Sequence, residues 1–104
     1  MKRDDVSQSP ATTLRLRLKT LPRLNLATLP TPLEKLSRLS EVIEGPDLYV
    51  KREDLTGMAL GGNKIREFEF QIAQAIERGC DVLVPSAGSQ SNQSRVTAAV
   101  AAKL

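Results

Sequence analysis

The chain has 104 residues, is 40% hydrophobic and 26% charged, and carries a net charge of +3 at neutral pH; it is one small domain at most. Three aromatics (Tyr49, Phe68, Phe70), no histidine and the single Cys80 argue against base-stacking platforms and rule out a histidine base or an internal disulfide. The charge is uneven: residues 1–25 hold six cations against two acids, a net of +4 that leaves −1 for the rest. Residues 1–12 are polar and expected to be mobile, and residues 1–20 read as a basic tail. No apolar run reaches membrane-spanning length and no signal-peptide core is visible, while Asp4 and Asp5 count against a transit peptide. The expected setting is therefore cytoplasmic, with no membrane partner and a reducing environment suited to one free cysteine.

"TLRLRLK" (Thr13 to Lys19) alternates leucine with polar residues, which predicts a strand, although Leu14, Leu18 and Leu21 would equally suit a helix. Pro30 and Pro32 make a rigid lead-in, after which Leu33, Leu36, Leu39 and Ile43 recur at helical spacing. Gly45-Pro46-Asp47 is a turn, and "LYVKR" (Leu48 to Arg52) a short strand. A polar connection, Glu53 to Leu60, leads to Gly61-Gly62. From Lys64 onward, Ile65, Phe68, Ile72, Ala75 and Ile76 form an apolar stripe, closed by Gly79 as the residue after the helix. "DVLV" (Asp81 to Val84) predicts a buried strand, "PSAGSQSN" a turn, and an alanine-rich helix follows from about Asn92. Strands and helices in close order predict an α/β fold with a parallel sheet and flanking helices. "VTAAVAAKL" ends without a helix stop, so the expected object is the front of a larger domain.

Two loops carry the chemistry. Lys64 follows two glycines at a helix start, where backbone dipoles disfavour an ammonium and so favour the neutral, nucleophilic amine. Gly61 and Gly62 would let another molecule approach the backbone. That combination suits a lysine bonded to a cofactor aldehyde such as pyridoxal phosphate; a surface lysine after a glycine turn is the plain alternative. In "SAGSQSNQSR" (Ser86 to Arg95) the free N–H groups of the Ser91–Ser94 turn suit an anion such as a substrate carboxylate, with Ser91 offering a hydroxyl and Asn92 an amide. The plain alternative is that Ser89 or Ser91 only caps the helix while Asn92 and Gln93 face solvent.

Taken together, "LPTPLEKLSRLS", "LYVKREDLTGMALGGNKIRE" and "QSNQSR" with "TAAVAAKL" resemble the N-terminal part of the D-cysteine desulfhydrase and 1-aminocyclopropane-1-carboxylate deaminase family. These are pyridoxal-phosphate enzymes of the tryptophan synthase β-like fold, also called fold type II. The resemblance runs from about Leu21 to Leu104 and places residues 21–104 in the enzyme domain. It implies that Lys64 is the Schiff-base lysine, that Asn92 hydrogen-bonds the cofactor's ring hydroxyl oxygen, and that Ser91 faces the substrate as a catalytic group. Gln93 would sit beside them, at a position that separates subgroups; Ser91, Asn92 and Gln93 would line the substrate. Two positions depart from the family pattern: Glu67 stands where a basic residue is common, and Ser89 where a bulky apolar residue is common.

The resemblance implies a lyase or deaminase acting on a small amino acid, a homodimer in the complete enzyme, and no metal. D-Cysteine desulfhydrase is the leading expectation, from "LPTPLE" and "TAAVAAKL"; 1-aminocyclopropane-1-carboxylate deaminase is the alternative, from Gln93. The phosphate cup and catalytic tyrosine would come from sequence beyond residue 104, so the 104 residues alone are expected to be inactive. A non-catalytic remnant is the rival from another class. A nucleic-acid binder would rest only on the basic head, without aromatic interleaving, so no nucleic-acid partner is expected.

Overall fold

The computed structural model describes residues 9–104, and the first helix begins almost at once. Helix α1 spans Pro10–Lys19: Ser9 caps it, accepting from the Thr12 N–H at 3.2 Å, and Pro10 occupies its first turn. The strand expected over Thr13–Lys19 is thus corrected to a helix, and residues 10–12 are its first turn. With a capped start, Leu14 and Leu18 satisfy helical spacing as well as the alternation satisfies a strand. None of the α1 residues is buried. Residues 1–8 lie outside the described residues.

The helix expected from Leu33 divides in two. Strand β1 (Leu33–Lys35) comes first, then helix α2 (Ser37–Ile43). Strand β2 (Tyr49–Lys51) returns antiparallel to β1, with Glu34 opposite Val50. Arg52 extends the pairing through its N–H to the Pro32 carbonyl, and Leu36 through its N–H to the Leu48 carbonyl, each at 2.9 Å. Proline at 32 leaves that carbonyl accepting without an N–H to pair, which suits the rim of a sheet. Buried Ser40 fastens α2 to the strand, donating to the Leu36 carbonyl and accepting from the Leu48 N–H, both at 2.9 Å.

This antiparallel pair is the sheet among the described residues, so the parallel sheet expected from the element order is not formed by them. Asp81–Val84 carries no strand pairing, and Val82 and Val84 are exposed. Strands exist by pairing, and within the described residues this segment has nothing beside it to pair with.

After β2, two short 3₁₀ turns (Glu53–Leu55 and Met58–Leu60) lead to helix α3 (Lys64–Glu77). Gly79, at φ +75, follows α3 in the left-handed position that lets the Cys80 N–H fold back to the Ala75 carbonyl at 3.0 Å. Helix α4 spans Asn92–Lys103. The core lies where α3 meets α4: Ile65, Phe68 and Ile72 pack with Val96 and Val100 and with Leu26 and Ala27 of the segment before β1. The predicted stripe is therefore buried as far as Ile72, with Ala75 half-buried and Ile76 exposed.

Glu69 lies inside that stripe and is buried. Its carboxylate accepts from the N–H groups of Leu26 (3.0 Å) and Ala27 (2.8 Å) and from Arg23 Nε (2.7 Å). Burial pushes Glu69 up, but the Ala27 N–H, Arg23 and the Leu26 N–H together outweigh it and hold the carboxyl below its ordinary range. Residues 23–27 are thereby sewn to α3.

Candidate functional site

The turn before Lys64 is built from an unusual run of backbone. Ala59, Leu60, Gly61 and Gly62 all have positive φ, from 49° to 119°. A Cβ on Gly61 would fall 1.9 Å from the Asp54 carbonyl oxygen, and one on Gly62 2.8 Å from Asn92 Nδ2. Both positions accordingly demand glycine, because of the chain itself rather than an approaching molecule as the sequence alone suggests. The Gly62 N–H donates to the Glu53 carbonyl at 2.8 Å, and the buried Thr56 hydroxyl donates to the Gly62 carbonyl at 2.9 Å.

Lys64 is the first residue of α3, and no side chain caps that helix. Among the described residues its amine has one partner, Glu67 Oε2 at 3.5 Å, a partly exposed ion pair. Glu67 is in turn held by Gln71, whose Nε2 donates to Oε1 at 2.6 Å. The acid at position 67 is thus the ion-pair partner of the lysine.

The second loop reaches the first through α4. Ser91 caps the helix, accepting from the Gln93 N–H at 3.2 Å, so the capping role is real; its hydroxyl proton remains free to donate. Ser89 instead lies within hydrogen-bond distance of the Gln90 side chain, at 3.0 Å. Among the described residues the side-chain amides of Asn92 and Gln93 make no hydrogen bond, and the Asn92 amide rests against Gly62. Arg95, one turn further on, donates from Nε to the Ala59 carbonyl (2.6 Å) and from Nη2 to the Gly61 carbonyl (3.3 Å). The structure therefore brings Asn92 to the turn that delivers Lys64, with Ser91 and Gln93 on either side of it in the chain.

Three supporting residues escape notice in the sequence. Arg66 grips Glu53 through Nε and through Nη2 (2.8 Å), and buried Thr31 donates to Glu53 Oε1 at 2.8 Å. Arg66 holds the Glu53 carboxyl down to about 2 from an ordinary 4.5, against burial and with help from Thr31 and Lys51. An open groove of about 750 Å³ lies beside this network, lined by Asn63, Lys51 and Leu29 among others, and includes none of Lys64, Ser91, Asn92 or Gln93. The signal for Glu53 was the charged run "KRED" (Lys51 to Asp54), two cations followed by two acids. For Arg95 it was a cation in the first turn of a helix, at the fourth residue of α4, where the positive pole disfavours it less than it does Lys64 at the first residue of α3.

The family model described as "Pyridoxal-phosphate dependent enzyme" matches residues 24–104. The chain belongs to that family. Within it, the chain is 54% identical over 92 residues to a D-cysteine desulfhydrase of Yersinia enterocolitica, covering 88% of this chain and 28% of that protein. A D-cysteine desulfhydrase of Salmonella paratyphi B is 52% identical over 87 residues, covering 84% and 26%. A crystal structure described as an "ACC deaminase homologue" superposes with a TM-score of 0.78 at 40% identity, over 83% of this chain and 26% of that one. The fold is thus that of a fold type II pyridoxal-phosphate enzyme, represented in part. The chain spans little more than a quarter of the length of these relatives. Among the described residues, no helix is long and apolar enough to cross a membrane.

Proposed function

We propose that this chain is the Lys64-bearing part of a pyridoxal-phosphate-dependent lyase that converts D-cysteine and water to pyruvate, sulfide and ammonia. The observation that carries the reading is the seating of the Asn92 amide against Gly62, two residues before Lys64. The residues suit the cofactor: an amine for its aldehyde, an amide donor for its ring oxygen, and at Gly62 a glycine where a Cβ would fall 2.8 Å from that amide. Pyridoxal phosphate, when bound, withdraws electrons from the substrate's α-carbon so that a proton and the β-substituent can leave.

The chain's own residues would do the rest. Lys64 would attach the cofactor covalently and, once displaced by substrate, carry the α-proton. Asn92 would donate to the ring oxygen. The backbone N–H groups at the start of α4 would hold the substrate carboxylate, with Ser91 and Gln93 lining the substrate and Ser91 donating its hydroxyl proton. The desulfhydrase relatives at 52–54% identity support D-cysteine. Gln93 and the 40%-identical ACC deaminase homologue favour a second reading, ring opening and deamination of 1-aminocyclopropane-1-carboxylate. The reading extends to a cytoplasmic homodimer for the complete enzyme, and the lone Cys80 agrees with a reducing compartment.

The test joins this chain to the C-terminal remainder of the Yersinia enterocolitica relative. With pyridoxal phosphate the joined protein should absorb in the visible, and borohydride should fix the cofactor on Lys64 by peptide mapping. Lys64→Ala should lose that attachment. Asn92→Ala should keep it with a shifted absorbance. Ser91→Ala should keep it while slowing turnover by about 10²–10⁴. Fixation on Lys51 or Lys103 would overturn the assignment, and ammonia from the cyclopropane substrate without sulfide from D-cysteine would select the second reading.

A further inference from the structure

The turn 59–62 holds a conformation its residues do not choose for themselves. Glycine takes positive φ freely, but Ala59 (φ 49°) and Leu60 (φ 66°) do so at a steric cost. Leu60 is 85% exposed, so its side chain gains little packing in return. Met58, Glu53 and Thr56 bond the Gly61 and Gly62 backbone, but they leave the Ala59 and Gly61 carbonyls to a partner from elsewhere. Arg95 crosses from α4 and donates to two of its carbonyls, those of Ala59 and Gly61. Near the start of α4 a guanidinium faces the positive pole of its own helix, so the position favours the turn's carbonyls rather than the helix. Asn92 lies three residues earlier, on the same face of α4, and presses on Gly62.

We propose that Arg95 is a positioning residue, a clamp that holds the left-handed turn against α4 and so sets the spacing between Lys64 and Asn92. Its planar fork reaches two carbonyls together, which a lysine ammonium does less well. The consequence for cofactor capture rests on the function proposed above; the clamp itself does not.

The experiment uses the joined protein and Arg95→Gln. Arg95 is exposed, so the variant should fold. Hydrogen exchange is read at the Gly61 and Gly62 amides, which donate to the Met58 and Glu53 carbonyls. They should exchange about tenfold faster in the variant, while core amides of α3 such as Phe68 and Ile72 keep the parent's rates. Adding Leu60→Asn, which accepts a left-handed backbone more readily at an exposed site, should restore most of the protection. Cofactor fixation on Lys64 should slow in Arg95→Gln and recover in the double variant. Unchanged exchange at Gly61 and Gly62, faster exchange spread through α3, or no recovery with Leu60→Asn would each overturn the clamp. If the parent never fixes cofactor on Lys64, the functional reading falls while exchange still judges the clamp.

Discussion

At the scale of single residues, the Glu53 carboxylate joins Thr31 from before β1 to Arg66 on α3. Its carboxyl lies at about 2 in the folded chain against 4.5 ordinarily. A depressed carboxyl stabilises the fold fully above its ordinary value, and that contribution fades as pH falls towards the folded value. The Arg66 side chain is 38% exposed, so screening limits the worth of the pair to about 1 kcal/mol. Glu53→Gln should therefore cost the joined protein about that much at pH 7, with the difference shrinking as pH is lowered from about 5 to 2. Urea unfolding at several pH values measures it; a pH-independent loss would contradict the linkage.

Among the elements, those legible in the sequence were those that make their own contacts. Helix α3 announced itself through Ile65, Phe68 and Ile72 and through Gly79 as its stop, and α4 through its alanine-rich run from about Asn92. Asn92, Lys64 and the two glycines were legible as chemistry, but that Gly62 makes room for Asn92 was not, since the two lie 30 positions apart in the chain. Helix α1 was misread because alternating leucines serve both periods, and the capping bond from Ser9 decided the matter. The β1–β2 register is continued by the Arg52–Pro32 and Leu36–Leu48 backbone bonds, which no local pattern foretells. Glu69 could have been found: an acid in the middle of an apolar stripe must have buried partners. Because α1 buries none of its residues, deleting residues 1–20 should leave cofactor fixation on Lys64 in the joined protein unchanged. A large loss in peptide-mapped cofactor would return α1 to the core.

For the whole molecule, dimensions matter most. The Cα radius of gyration is 18.0 Å, whereas a compact domain of this length has about 13 Å. Sixteen large apolar residues are exposed among those described, against eight buried hydrophobics. A chain this short hides only about 60–65% of its unfolded surface even when compact. The 104 residues by themselves should thus show no cooperative thermal transition and should aggregate, with Val82 and Val84 as exposed strand-forming sites. A soluble monomer melting sharply in calorimetry would refute this. The seat of Lys64 also has an order of assembly written into it. Asp54, Glu53 and Thr56, which shape the turn, leave the ribosome before it, whereas Asn92 and Arg95 follow it by some 30 residues, or about 2–6 s of synthesis. During that interval the turn lacks its Asn92 and Arg95 contacts, so the surroundings of Lys64 are completed only once α4 has been made.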